Sequence, residues 1–237
     1  MTIGLIGGVG WPSTMDYYRL LNEAVNRDRG GAHSADLVLR SLDFQTLLDR
    51  LDRPAEIEAR LDAAAGDLAA AGATVLGIAA VTGHRFAAPL ERRTDLRFVH
   101  LGDVTSRALA HHGVRRPGVL ATSRTLGDPG LLGRMTRGTE PVLPAESRRA
   151  ELDEVIFGDL IRGRHGEHVR RVLSATADRL RADGADALLL ACTELAAVRD
   201  HLGTALPIHD ATSLHCQALL EEARGASPSR HACPGPT

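Results

Sequence analysis

The sequence contains no lysine, so all 28 of its basic residues are arginines. A lysine Schiff base to pyridoxal phosphate or to a carbonyl substrate is therefore excluded, and no cofactor is expected. Cysteine is scarce as well. Cys192, Cys216 and Cys233 are too few and too scattered for a disulfide framework or for metal-ligand spacing. Free thiols in a reducing compartment, and no metal, are the expectation. Charge of one sign is also missing: the formal net charge is −2, and the arginine pairs at 92–93, 115–116 and 148–149 are mixed with acids rather than aligned in a stripe. This speaks against nucleic acid or a membrane surface as partner. No apolar run approaches the about 20 residues of a membrane span, and Met1 leads into a strand pattern without a charged leader. A cytoplasmic protein is expected.

What is present is a repeat. Leu68, Gly72, Ala73, Leu76, Ala79 and Ala80 align without a gap with Leu180, Gly184, Ala185, Leu188, Ala191 and Cys192, a constant offset of 112 (192 − 80). With 237 residues, 43% of them hydrophobic, the chain can bury two cores of about half its length each.

Apolar runs with strand character at 2–8, 36–41, 74–79, 97–101, 117–121, 140–143, 184–192 and 206–209 alternate with amphipathic stretches at 11–25, 44–51, 54–72, 102–112, 146–161, 167–182 and 211–224. Such alternation predicts an α/β fold of two pseudo-symmetric domains, each a parallel sheet flanked by helices, with the active site in the interdomain cleft. The expected division is 1–100 plus 207–224 for the first domain, 101–206 for the second, and a disordered tail at 225–237, whose composition (GASPSRHACPGPT) makes Cys233 a bystander.

The segment 184–195, GADALLLACTEL, is an apolar strand that stops on Cys192, Thr193 and Glu194. A thiol at a strand end beside a helix start has a lowered pKa and can act as acid, base or nucleophile. The plain alternative is a packed core cysteine, and the polar Thr193 and Glu194 tip the balance toward chemistry. Matching strand ends would set Ala80 opposite Cys192, with Thr82, His84 and Arg85 close by. His84 is the candidate second proton carrier. The glycine turn at Gly7, Gly8 and Gly10, leading to Ser13, and the hydroxyl-rich turn at Thr122, Ser123 and Thr125 are candidate carboxylate sites. His215 reads better as a helix cap or surface residue than as a functional one.

The GG turn at Gly7 and Gly8, WPST at 11–14, Tyr17-Tyr18-Arg19, SLDF at 41–44, VTGH at 81–84, ACTEL at 191–195 and PIHDATSLH at 207–215 together resemble the aspartate/glutamate racemase family, in order from residue 2 to about 224. The resemblance implies cofactor-independent proton transfer at the α-carbon of an acidic amino acid. Cys192 would be one acid/base, and Ser13, Thr82, Arg85, Thr122, Ser123, Thr125, Thr193 and Glu194 would surround the substrate. It implies a small-molecule carboxylate or amino-acid partner, and a homodimer is one assembly it allows.

The chain departs from that pattern at its first catalytic position. Ala80 stands where the family carries Cys or Thr, and Val81 where it carries Asn. Three readings follow: a racemase whose second proton comes from His84 or another histidine; a one-cysteine decarboxylase or lyase, similar to arylmalonate decarboxylases, acting on a dicarboxylic acid; or a non-catalytic binding homologue.

Overall fold

In the computed structural model, which describes residues 1–225, the strands collect into two parallel sheets. The first is built from β1 (Ile3–Gly7), β2 (Leu37–Ser41), β3 (Val75–Ile78) and β4 (Arg97–Phe98) in the order β2–β1–β3–β4. The second is built from β5 (Pro117–Leu120), β6 (Ala187–Leu190) and β7 (Ile208–Asp210) in that order. All pairings are parallel. The helices that cover them include α1 (Trp11–Arg29), α2 (Phe44–Leu48), α3 (Pro54–Ala70) and α4 (Ala88–Glu91) around the first sheet. They are followed by α5 (Leu101–His111), α6 (Ser123–Leu126), α7 (Pro129–Met135), α8 (Glu146–Asp153), α9 (Glu167–Ala182) and α10 (Ala211–Arg224). Strands β1, β3, β5 and β6 are buried at every residue, because helices cover both faces of a parallel sheet.

The repeat is structural. Strands β3 and β6 have the same bounds at an offset of 112 (187 − 75 and 190 − 78). Helices α3 and α9, which precede them, both stop through a left-handed glycine, Gly72 and Gly184, each at φ +92°. In both copies the next amide returns to the helix: Ala73 N–H donates to the Leu68 carbonyl and Ala185 N–H to the Leu180 carbonyl, each at 3.0 Å. A bare strand backbone makes room for this closure. A Cβ on Gly4 would lie 2.9 Å from the Ala73 Cβ, and one on Gly118 would lie 3.1 Å from the Ala185 Cβ.

Four expectations change. The strand expected at 140–143 is a single bridge between Gly118 and Val142. The strand expected to run to 101 ends at Phe98, because His100 caps α5, its Nδ1 accepting from Gly102 N–H at 3.0 Å. The helix expected over 146–161 is α-helical only to Asp153, is π-helical over Glu154–Asp159, and ends on Gly163 in the left-handed region. The domain boundary expected at 207 also shifts. Strand β7 hydrogen-bonds to β6 and completes the second sheet, whereas α10 buries Cys216, Leu219, Leu220 and Ala223 among Ile3, Leu5 and Tyr17 of the first unit. Conversely α5, which follows the first sheet, sends Leu101 and Leu109 into the second core beside Val119 and Leu189. The two units thus exchange helices. The expected tail beyond 225 lies outside the described residues.

Three imidazoles lie in this seam. His215, expected as a cap or surface residue, is fully buried: its Nε2–H donates to the Val99 carbonyl at 2.9 Å, which leaves Nδ1 to accept from the Tyr17 hydroxyl at 2.8 Å. The ring centres of His100 and His215 lie 4.9 and 5.0 Å from that of His84. Burial lowers the pKa of all three, that of His215 to about 4, and each neighbouring imidazole adds to the penalty on a proton at His84. Their folded-state pKa values lie below the unfolded value of about 6.5, so the stability they confer is complete above pH 6.5 and is lost as pH falls toward 4. For His215 alone the change is on the order of 3 kcal/mol. Asp210, raised by burial, works in the opposite sense at the acid end. Urea midpoints should therefore be level from pH 8 to about 6.5 and fall steadily below it, with a shallower fall in His84→Leu.

Candidate active site

The carboxyl ends of β1 and β3 meet those of β5 and β6 around a cavity of about 360 Å³. Ala80 and Cys192, equivalent in the repeat, both line it. The amino terminus of α1 opens on it through Gly10 and Ser13. Gly8 and Gly10, at φ +79° and +87°, make the turn that aims this helix, and a Cβ on Gly8 would collide with the Leu42 carbonyl at 2.0 Å. The positive end of a 19-residue helix thus faces the cavity, as an anion requires.

Cys192 follows β6 in extended conformation and caps the 3-10 helix Thr193–His201. Its Sγ–H donates to Glu194 Oε2 at 2.9 Å, and the Thr193 hydroxyl donates to the same oxygen at 2.8 Å. From the other unit, Ser13 Oγ lies 2.6 Å from Thr193 Oγ1 and 3.3 Å from Glu194 Oε1. The thiol expected to have a lowered pKa has a raised one. Burial pushes it well above the ordinary cysteine value, and the Glu194 carboxylate adds to the effect. At neutral pH the thiol form of Cys192 is therefore favoured.

Thr82, Arg85, Thr122, Thr125, Thr193 and Glu194 all line the same cavity. Thr122 caps α6, its Oγ1 3.3 Å from Thr125 Oγ1. Arg85 is held by Asp128, Nε to Oδ2 at 3.2 Å. Two expected residues are not brought to the cavity lining. Ser123 gives its backbone N–H to Asp153 Oδ1 at 2.8 Å. His84 turns away: its Nδ1 is 2.9 Å from the Ala80 carbonyl, and its ring borders a separate pocket with His100, Glu91 and Arg134. One turn of 3-10 helix at 82–86 cannot present both Thr82 and His84 to the same side.

The wall that sequence reasoning missed is apolar. Phe44, Leu47, Leu48 and Leu51, with Ile57 and Leu61 of α3, form one side, and Phe157 and Ile161 face the cavity from the second unit. The stripe itself was readable, since Phe44, Leu47, Leu48 and Leu51 are spaced i, i+3, i+4, i+7 as on any amphipathic helix, but nothing in that spacing says that it faces a cavity rather than a core. Arg124 was also missed; it lines the cavity, is exposed, and has no ion pair among the described residues.

With this geometry in view, comparison with known proteins is informative. The profile of the family described as Asp/Glu/Hydantoin racemase matches residues 6–219. The chain belongs to that family. A solved structure described as a candidate Asp/Glu racemase from Yersinia pestis shares 30% identity with it over 94% of this chain and 99% of that one, with a TM-score of 0.86. An aspartate racemase homologue from Pyrococcus horikoshii is 24% identical over 94% of this chain and 99% of its own, with a TM-score of 0.83. The fold extends to a cysteine mutant of arylmalonate decarboxylase, 14% identical over 98% of this chain and 97% of that one, TM-score 0.59.

Because Glu194 and burial together hold the thiol protonated, Glu194→Gln should increase the alkylation rate of Cys192 by iodoacetamide several-fold at pH 8. Peptide-resolved mass spectrometry separates Cys192 from the buried Cys216, whose rate should not change.

Proposed function

We propose that this chain transfers a proton to one face of the carbon next to a carboxylate, with Cys192 as its single acid/base, and that the reaction served is loss of CO2 from a malonate-type diacid. The observation that carries this reading is a single thiol, Cys192, donating to Glu194 in a cavity whose equivalent position, Ala80, offers only a methyl group. Inversion of an α-carbon needs one group to remove the proton and a second, on the opposite face, to return it. A methyl group does neither, and His84, held through Nδ1 to the Ala80 carbonyl, borders a different pocket.

Loss of CO2 needs no base. The Cα–carboxylate bond breaks, CO2 departs, and the electron pair enters the remaining carboxylate as an enediolate. The Sγ–H proton then passes to Cα, leaving a thiolate that regains a proton from water. On this reading the amino terminus of α1 and the hydroxyls of Thr82, Thr122, Thr125 and Thr193, all of which line the cavity, would hold the enediolate oxygens.

A second reading is favoured by Glu194. Its Oε2 is 2.9 Å from Sγ, and although it favours the thiol at rest, in this reading it takes the thiol proton transiently during turnover. The resulting thiolate would exchange the α-proton of one enantiomer of aspartate or glutamate and return it to the same face.

In D2O the wild-type protein should release CO2 from substituted malonates and leave a single deuterium on one face of the product. Cys192→Ala should lower this rate by about 10²–10⁴-fold. Deuterium exchange into aspartate or glutamate with retention, and no CO2, would select the second reading. Inversion of either amino acid by the wild type would overturn both. Ala80→Cys, which restores the missing group, should add inversion.

A further inference from the structure

A second pocket, of about 380 Å³, lies in the seam between the two units, and Arg85 and Phe86 border both it and the cavity of Cys192. Its ionic groups are three carboxylates, Glu58, Glu91 and Asp128, and two guanidiniums, Arg85 and Arg134. Both guanidiniums are already paired. Arg85 Nε lies 3.2 Å from Asp128 Oδ2, and Arg134 forks onto Asp103 at 2.8 and 2.6 Å while also donating to Glu91. Glu58, half-buried on α3, has no ion pair among the described residues.

The two imidazoles in the wall sort in the same way. His100 accepts at Nδ1 from Gly102 N–H, so its Nε2–H is a donor and goes to the His84 carbonyl at 3.3 Å. His84 gives its Nδ1–H to the Ala80 carbonyl, which leaves a lone pair on Nε2. That nitrogen has no partner among the described residues, on a side chain only 3% exposed. Burial lowers the pKa of both rings and keeps them uncharged. The wall side chains left without a partner, a carboxylate and a buried imidazole nitrogen, are thus both acceptors. An anion entering here would have to displace a carboxylate from a guanidinium, whereas an ammonium brings the donors and the positive charge that are missing. We infer that this pocket is a second binding site, for a small organic ammonium, with its N–H groups toward Glu58 and His84 and a short hydrocarbon body against Phe86, Ala88 and Leu131. The volume is within the usual range for one small organic molecule. The site is separate from the proton transfer proposed for Cys192 and stands without it.

Three probes of similar shape test this by calorimetry on the wild-type protein at neutral pH. Isobutylammonium should bind at least tenfold more tightly than isobutanol, and 3-methylbutanoate should not displace it. Glu58→Gln should weaken the ammonium at least fivefold, whereas Glu194→Gln, in the other cavity, should leave its affinity within twofold. Should Glu58→Gln fail to fold, the wild-type protein carrying carbon-13-labelled histidine gives the second measurement: isobutylammonium should shift the ring signals of His84 and His100, which border only the seam pocket. Binding of the alcohol as tightly as the ammonium, displacement by 3-methylbutanoate, an affinity unchanged in Glu58→Gln, or ring signals that do not move overturns the assignment. A loss confined to Glu194→Gln overturns it as well, because it places the ammonium beside Cys192.

Discussion

One carboxylate organises the centre of this molecule. Glu194 accepts from the Cys192 thiol and the Thr193 hydroxyl, and Ser13, from the opposite unit, closes the cluster. Removing this half-buried acceptor leaves its buried donors, Cys192 and Thr193, without a partner, at a cost of about 1–3 kcal/mol for each. The same contact that orients the thiol also joins α1 to the strand end after β6. The orientation of the thiol and the closeness of the two units therefore depend on the same atoms, and the raised pKa of Cys192 follows from burial and from that carboxylate.

Much of this was legible in the residues. The offset of 112 located both closures, Gly72 and Gly184, and the equivalence of Ala80 with Cys192. The periodic, apolar stretches of α9 and α10 were readable from end to end, because a buried helix face repeats its signal. Short elements were not. Strand β4 has only two residues, and His100 ends it by capping a helix, a contact visible only when the backbone is folded. The π-helical turn at 154–159 continues the helical spacing around it, so nothing in the residue pattern marks it.

In the cleft, the sequence identified residue types but not directions. Cys192, Thr82 and Thr193 line the cavity, whereas His84, two positions after Thr82, points into the seam with His100 and His215. The pKa of the thiol was read in the wrong direction for a similar reason. A strand end before a helix lowers it, but a carboxylate folded back within hydrogen-bond distance raises it, and side-chain rotamers decide which effect acts.

The exchange of α5 and α10 has a mechanical consequence. Each core is completed by a helix from the other half of the chain, so the halves cannot separate like jaws on a simple hinge. Any wide opening would draw Leu101 and Leu109, or Leu219 and Leu220, out of apolar surroundings, at about 25 cal/mol for each Å² exposed. The cleft is therefore confined to small movements around one width. Were Cys192 the single acid/base, as proposed, this would have a chemical value. A planar carbon held in a gap of fixed width shows the thiol the same face at every turnover, so the stereochemical outcome is set by how the two halves are assembled.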